Sequence, residues 1–187
     1  MSELSSRDAT TPLDHEMPIA GHAHEDIKDL YQYWSGLAPS GVLPGRRHFD
    51  PLEIPHLLPN VWLIDVHRDP FRFWRRLVGT RIEEFAGRSL VNGWVADTLD
   101  EDRQSGVHKN LTDVVLTGQP SWRRGKSLIR YEKGFSELER IYLPLAEDGG
   151  TVDMILAMTL FYTLPMPDAD SMNEHFLATE TPAFVYG

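Results

Sequence analysis

From Ile27 onward the apolar residues recur at helical spacing: Ile27, Leu30, Tyr31, Trp34 and Leu37 share one stripe, with polar residues between them. The stripe predicts an amphipathic helix that stops near Gly36 and Pro39, both helix breakers. At Asp50, a capping residue is followed by Pro51 in the first helical position and by Glu53. That pattern predicts a second helix, kept short by Pro55 and Pro59. The period then changes. Val61–Val66 and Phe71–Val78 are β-branched and aromatic runs separated by the turn-forming His67-Arg68-Asp69-Pro70, and they read as a hairpin. Gly79-Thr80 opens a short helix with Ile82 and Phe85, ending at Gly87. A turn follows at Asn92-Gly93, and a longer helix from about Asp100 to Gly118 carries Val107, Leu111, Val114 and Val115 on one face.

Three more strands are expected at Ser121–Tyr131, Glu137–Leu145 and Thr151–Leu164, joined by turns at Lys133-Gly134 and Glu147-Asp148-Gly149-Gly150. The last strand is apolar on both faces, with Met154, Leu156 and Met158 alternating with Ile155, Ala157 and Phe161. Such a strand belongs at the centre of a sheet covered on both sides. Strands that prefer hairpin neighbours, with helices grouped between them, predict an α+β fold built on a five-stranded antiparallel sheet. Residues 1–24 and 165–187 are polar and lack periodicity, so they read as a flexible N-terminal arm and a C-terminal tail around a body at 25–164.

Composition narrows the chemistry. The chain has 187 residues, 41% hydrophobic, which suits one domain with its own core. Zero cysteines remove disulfides, thiolate metal sites, cysteine nucleophiles and photochemistry through a cysteinyl flavin adduct, and make the cytoplasm the expected compartment. A net charge of −10 opposes binding to nucleic acid or to an anionic membrane surface. No apolar run approaches the roughly 18 residues of a spanning helix. No HExxH, Walker loop, GxGxxG or Ser-His-Asp order is present, so no catalytic residue and no metal site is assigned. His22 and His24 lie in the arm, where a flexible pair lacks the geometry that metal selectivity needs.

A hairpin, a helical middle and a three-strand meander resemble a PAS domain, and particular residues sharpen the resemblance. They are Tyr33-Trp34, Leu43-Pro44, Asp50-Pro51, Ile54-Pro55, Leu57-Leu58-Pro59, Asp65, the run Arg76-Leu77-Val78-Gly79-Thr80-Arg81-Ile82, Gly87, Leu143-Pro144-Leu145 and Asp148-Gly149. Over about residues 27–164 they are similar to a divergent bacterial subfamily of stand-alone, sensor-like PAS proteins. The resemblance implies a sheet cupped by helices around a small cavity, and a regulatory, non-enzymatic module that senses a small ligand or docks a signalling partner. It names no cofactor. It also implies a homodimer, because in PAS proteins the corresponding N-terminal helix often packs against its copy, which makes Ile27, Leu30, Tyr31 and Trp34 the expected interface.

The expected cavity lies between the sheet and the segment 80–117, lined by Phe73, Leu77, Phe85, His108, Leu111, Val115, Ile141 and Leu143. Haem-binding relatives take a histidine from a helix in this region, but a half-buried His108 bonded to backbone or water is the favoured reading. Asp65 and Asp153 interrupt apolar strands and are expected to pair with Arg76 and Arg140 as structural ion pairs. Arg72, Arg75 and Arg76, with Arg123, Arg124 and Lys126, form the only concentration of positive charge, interleaved with Trp74 and Trp122. A charged, solvated strand edge is its plainer reading, and an anionic ligand or acidic partner its sharper one. Two rivals remain: a PAS scaffold with a filled core, and a cone-shaped α+β enzyme of the isomerase or dehydratase kind, which normally opens with long helices instead of a hairpin.

Overall fold

In the computed structural model six strands form one antiparallel sheet in the order β3-β2-β1-β6-β5-β4. The structure describes residues 22–39, 41–99, 101–125 and 137–162. Helix α1 spans Glu25–Gly36, and three 3-10 turns at Arg46–His48, Pro51–Glu53 and Leu58–Asn60 lead into β1 (Val61–His67) and β2 (Arg72–Val78). Helix α2 (Thr80–Ala86), β3 (Gly93–Trp94), the 3-10 turn Ala96–Thr98 and helix α3 (Glu101–Thr117) follow, then β4 (Ser121–Gly125), β5 (Glu137–Leu145) and β6 (Met154–Tyr162). Among the described residues no helix is long and apolar enough to cross a membrane. The expected Lys133-Gly134 turn and the end of the Ser121–Tyr131 strand lie outside the described residues.

Strand β6 is central, and its two faces divide as its alternation predicts. Met154, Leu156 and Met158 join the layer beneath α1. Ile155 and Ala157 join the layer beneath α2 and α3, with Phe161 packed against it. A sixth strand was not expected. The Asn92-Gly93 turn, with Asn92 in the left-handed region at φ 57°, sets Gly93 opposite Arg75 and Trp94 opposite Trp74, which adds β3 to the edge of β2.

The apolar stripe of α1 fills the protein's own core, and this corrects the expected interface. Ile27 and Leu30 are 0% exposed, Tyr31 3% and Trp34 2%, and the Trp34 indole N–H donates to the Pro144 carbonyl at 2.9 Å. Side chains already covered by the sheet offer nothing to a second subunit. The N-terminal end is tied down before residue 25 as well, since Ala23 is buried and the His24 ring accepts the Asp26 N–H as an N-cap. Glu139, 0% exposed, accepts from the His24 N–H at 3.0 Å, the Trp122 indole at 2.7 Å and the Tyr162 hydroxyl at 2.6 Å. One buried carboxylate thus joins the start of α1, β4 and the end of β6, and its three donors are what make its burial tolerable.

Close backbone approach explains the Gly79-Thr80 start of α2. A Cβ on residue 79 would sit 2.3 Å from the Pro59 carbonyl oxygen, so only glycine lets the chain pass there. The helix ends on Gly87 at φ 67°, where a side chain would be strained.

Candidate ligand cavity

A cavity of about 430 Å³ opens between the β2–β3 edge of the sheet, the Ala96–Thr98 turn and α3. Phe71, Phe73, Val95, Leu99 and Leu111 give it an apolar wall and Asp97, Gln104 and His108 supply polar groups, while Arg72 and Trp94 border it from strands whose alternation turns their side chains to the other face of the sheet. Local rules bring these elements together. The hairpin turn delivers Phe71 and Phe73, the short β3 delivers Trp94, and one face of α3 delivers His108 and Leu111.

Two polar side chains behind the cavity hold its thinnest wall in place. Arg75, 2% exposed, donates to the Trp94 carbonyl at 2.7 Å and to the Thr98 hydroxyl at 3.1 Å, tying β3 and the following turn to β2. Glu83, on α2, accepts from the Ser89 hydroxyl at 2.7 Å and the Leu90 N–H at 2.8 Å. The Ser89 hydroxyl, followed by the backbone amides of Leu90 and Val91, holds the Glu83 carboxyl below the usual carboxylate range.

Three of the eight expected lining residues, Phe73, His108 and Leu111, meet at this cavity. Val115 and Phe85 are buried on the same side of the sheet but away from it, and the Phe85 ring stacks on Phe161 with centroids 4.1 Å apart. Ile141, Leu143 and Leu77 correct the expectation, for they face the other way. Ile141 pairs with Met158 and Leu143 with Leu156, which places both in the α1 layer. Leu77 pairs with Leu63, because Arg76 is an extra residue opposite the Leu63/Ile64 step. That bulge inverts the alternation set by Phe73 and Arg75 and leaves Leu77 41% exposed. The lining residues outside the expected set come mainly from the hairpin tip and from 94–99, where Asn92-Gly93 signals only a turn.

The His108 Nε2 lies 2.8 Å from the Phe71 carbonyl oxygen. A carbonyl only accepts, so Nε2 carries the proton, and the ring also meets Phe73 edge-on at 5.4 Å. The residue is exposed instead of half-buried, and its bond is to backbone. To coordinate haem iron through Nε2 it would have to give that bond up.

The expected ion pairs form in one case and not in the other. The Arg76 Nε donates to both Asp65 carboxylate oxygens, at 2.8 and 3.0 Å. Asp153 instead accepts the Glu147 N–H at 2.9 Å, and Arg140, 1% exposed, turns into the opposite layer. There its Nε donates to the Thr159 hydroxyl at 3.0 Å and its guanidinium lies 5.1 Å from the Trp62 ring centre. Arg123 and Arg124 do not join Arg72, Arg75 and Arg76 in one cluster either, because β2 and β4 stand toward opposite ends of the sheet, and Lys126 lies outside the described residues. Arg124 pairs with Glu137 at 3.2 Å, while Arg72 stacks over the Trp94 ring at 3.6 Å.

Residues 22–160 match the family model described as PAS domain. Among solved structures, the chain is similar to a LOV protein of Rhodobacter sphaeroides, with 12% identity and a TM-score of 0.41 over 72% of this chain and 67% of that one. It is also similar to a sensory box sensor histidine kinase from Vibrio cholerae, with 16% identity and a TM-score of 0.39 over 61% of this chain and 92% of that one. No curated protein matches the chain.

Proposed function

This chain belongs to the PAS domain family, and from that premise we propose that it is a non-enzymatic sensory module whose input is a small molecule held in the cavity beside β3 and α3. The observation that carries this reading is the cavity itself. Its 430 Å³ falls within the roughly 300–1,000 Å³ typical of small-molecule sites, and an apolar, aromatic wall with a few polar groups is their usual construction. Occupancy would act by favouring one conformation of the module, and so of a homodimer or of a complex with a signalling partner. With Ile27, Leu30, Tyr31 and Trp34 buried beneath the sheet, such a contact would use other surfaces. The cone-shaped enzyme is disfavoured because α1 is followed by a hairpin and the remaining helices come later.

Native mass spectrometry and an absorption spectrum of freshly purified protein test the proposal, with Ala96→Trp as the blocked control. Ala96 is an exposed wall residue, so a larger side chain there fills the cavity without disturbing the core. A retained small molecule that the wild type carries and Ala96→Trp lacks is the expected result. Protein that emerges empty and binds nothing from a metabolite library would favour the scaffold reading.

A further inference from the structure

We propose that the sheet face opposite the cavity, at the β2–β3 edge, is the docking site for an acidic segment of a partner protein. The inference rests on the sensory reading above and adds to it the surface through which the module acts. Strand alternation assembles this face. Leu63 lies in the α1 layer, so Asp65 and His67 share its side of the sheet, yet neither is buried. Their cross-strand partners are Trp74 and Arg72, and Trp94 stands opposite Trp74 on β3. The contacts agree: the Trp94 ring meets Trp74 edge-on at 4.9 Å and His67 at 5.1 Å, and the Arg72 guanidinium lies 3.6 Å from its centre.

Apart from the His67 ring, what this face offers is donors. Among the described residues the Arg72 side chain makes no ion pair or hydrogen bond, and the indole N–H groups of Trp74 and Trp94 meet no acceptor. The one carboxylate, Asp65, is occupied by Arg76, whose Nε donates to both its oxygens. The face therefore lacks acceptors and carries an excess of positive charge on a chain of net charge −10. A partner has to bring acceptors and negative charge, and a carboxylate brings both. Stacking on Trp94 fixes the guanidinium plane and leaves its N–H edge for two parallel bonds to that carboxylate. Tryptophan and arginine are also the side chains that most often anchor protein interfaces. The net charge opposes nucleic acid as the source of the anion, and opposes a second, equally acidic copy of the chain. Trp94 on this face and Val95 in the cavity wall are adjacent in the chain, so a partner here touches the segment that a ligand touches from the other side.

Peptides selected from a random display library on the immobilised full chain, then titrated by fluorescence anisotropy, test the site. Enriched peptides should carry Asp or Glu beside an apolar residue and bind wild type at least about tenfold more tightly than Arg72→Met, a change at an exposed position. Replacing the peptide's acid by its amide should cost as much, and nothing further in Arg72→Met. Arg72→Lys should also weaken binding, because it keeps the charge and loses the planar fork. Arg124→Met, which removes a cation from β4 toward the other end of the sheet, should bind as wild type does. No enriched peptide, neutral peptides, indifference to Arg72→Met, or an equal loss in Arg124→Met overturns the site. So does an oligothymidylate that binds more tightly than any peptide, or sedimentation in which wild type self-associates and Arg72→Met does not. The cavity is read separately through its retained molecule and Ala96→Trp. A retained molecule without an acidic binder overturns the docking site alone, and acidic binders without a retained molecule support the docking site while the cavity reading falls.

Discussion

Trp34 separates a core residue from an interface residue. It is 2% exposed, belongs to the α1 layer and donates to the Pro144 carbonyl. A buried tryptophan withdraws roughly 150–250 Å² from water, which at roughly 25 cal/mol per Å² sets an upper bound of roughly 4–6 kcal/mol. Measured truncations of this size cost about 3–5 kcal/mol, and the stranded Pro144 carbonyl adds about 1 kcal/mol. Trp34→Ala should therefore lose about 4–6 kcal/mol, a large share of the 5–15 kcal/mol by which domains are stable. Trp34→Phe keeps most of the ring contact and removes only the donor and part of the volume, so about 1–2 kcal/mol is expected. Urea denaturation followed by far-UV circular dichroism at several protein concentrations measures both variants. The midpoint should fall in that order with an unchanged slope and no dependence on concentration. A Trp34→Ala loss below about 1 kcal/mol, or one that grows on dilution, would restore the residue to an interface.

Gly79→Ala should cost at least about 1–3 kcal/mol, because its Cβ would lie 2.3 Å from one backbone oxygen and 2.5 Å from another; a urea midpoint equal to wild type would show that the Leu58–Asn60 turn yields freely. Arg75→Met should speed amide exchange across 93–99 and leave β5 and β6 protected, since Arg75 bonds Trp94 and Thr98; uniform loss of protection would instead mark Arg75 as a general core residue. Glu83 gives a pH dependence of definite sign. Its folded-state carboxyl titrates lower than in the unfolded chain, so its contribution is complete above the ordinary glutamate range and is lost as pH falls through the lowered value. Protection at Leu90 and Val91, taken relative to the intrinsic exchange rate at each pH, should fall in acid for wild type and stay flat for Glu83→Gln, and identical profiles would refute the role.

The order of elements was legible because the signals that set it are local. The α1 stripe, the Gly79 start, the Gly87 stop and the two-sided apolarity of β6 each act within a few residues, and each lies where the pattern placed it. The cavity was only partly legible because facing is set by pairing. In β5 every position from Leu138 to Leu145 is buried, so hydrophobicity carries no phase, and only the Ile141–Met158 register shows that Arg140 and Tyr142 are the residues on the cavity's side of the sheet. In β2 one inserted residue, Arg76, reverses the face of Leu77, and nothing in an alternating run of arginines and apolar residues announces an insertion. Strand β3, at two residues, is shorter than any periodicity can register.

These placements also say where a ligand could exert leverage. A bound molecule biases only those conformations whose contacts with it differ. At the β4–β5–β6 end of the sheet, Glu139 is fully buried and holds three donors, so opening there strands several polar groups at once. At the β2–β3 end, the cavity wall is a two-residue strand and one 3-10 turn, fastened from behind by Arg75 and approached through a loop that Glu83 pins. Local opening costs least where few bonds hold a segment, so ligand binding should be felt first across 83–99 and in the adjoining α3, and last in α1. The exchange profile that tests Arg75 also tests this ordering: protection gained on ligand binding should be concentrated at 83–99, and a gain confined to α1 would contradict it.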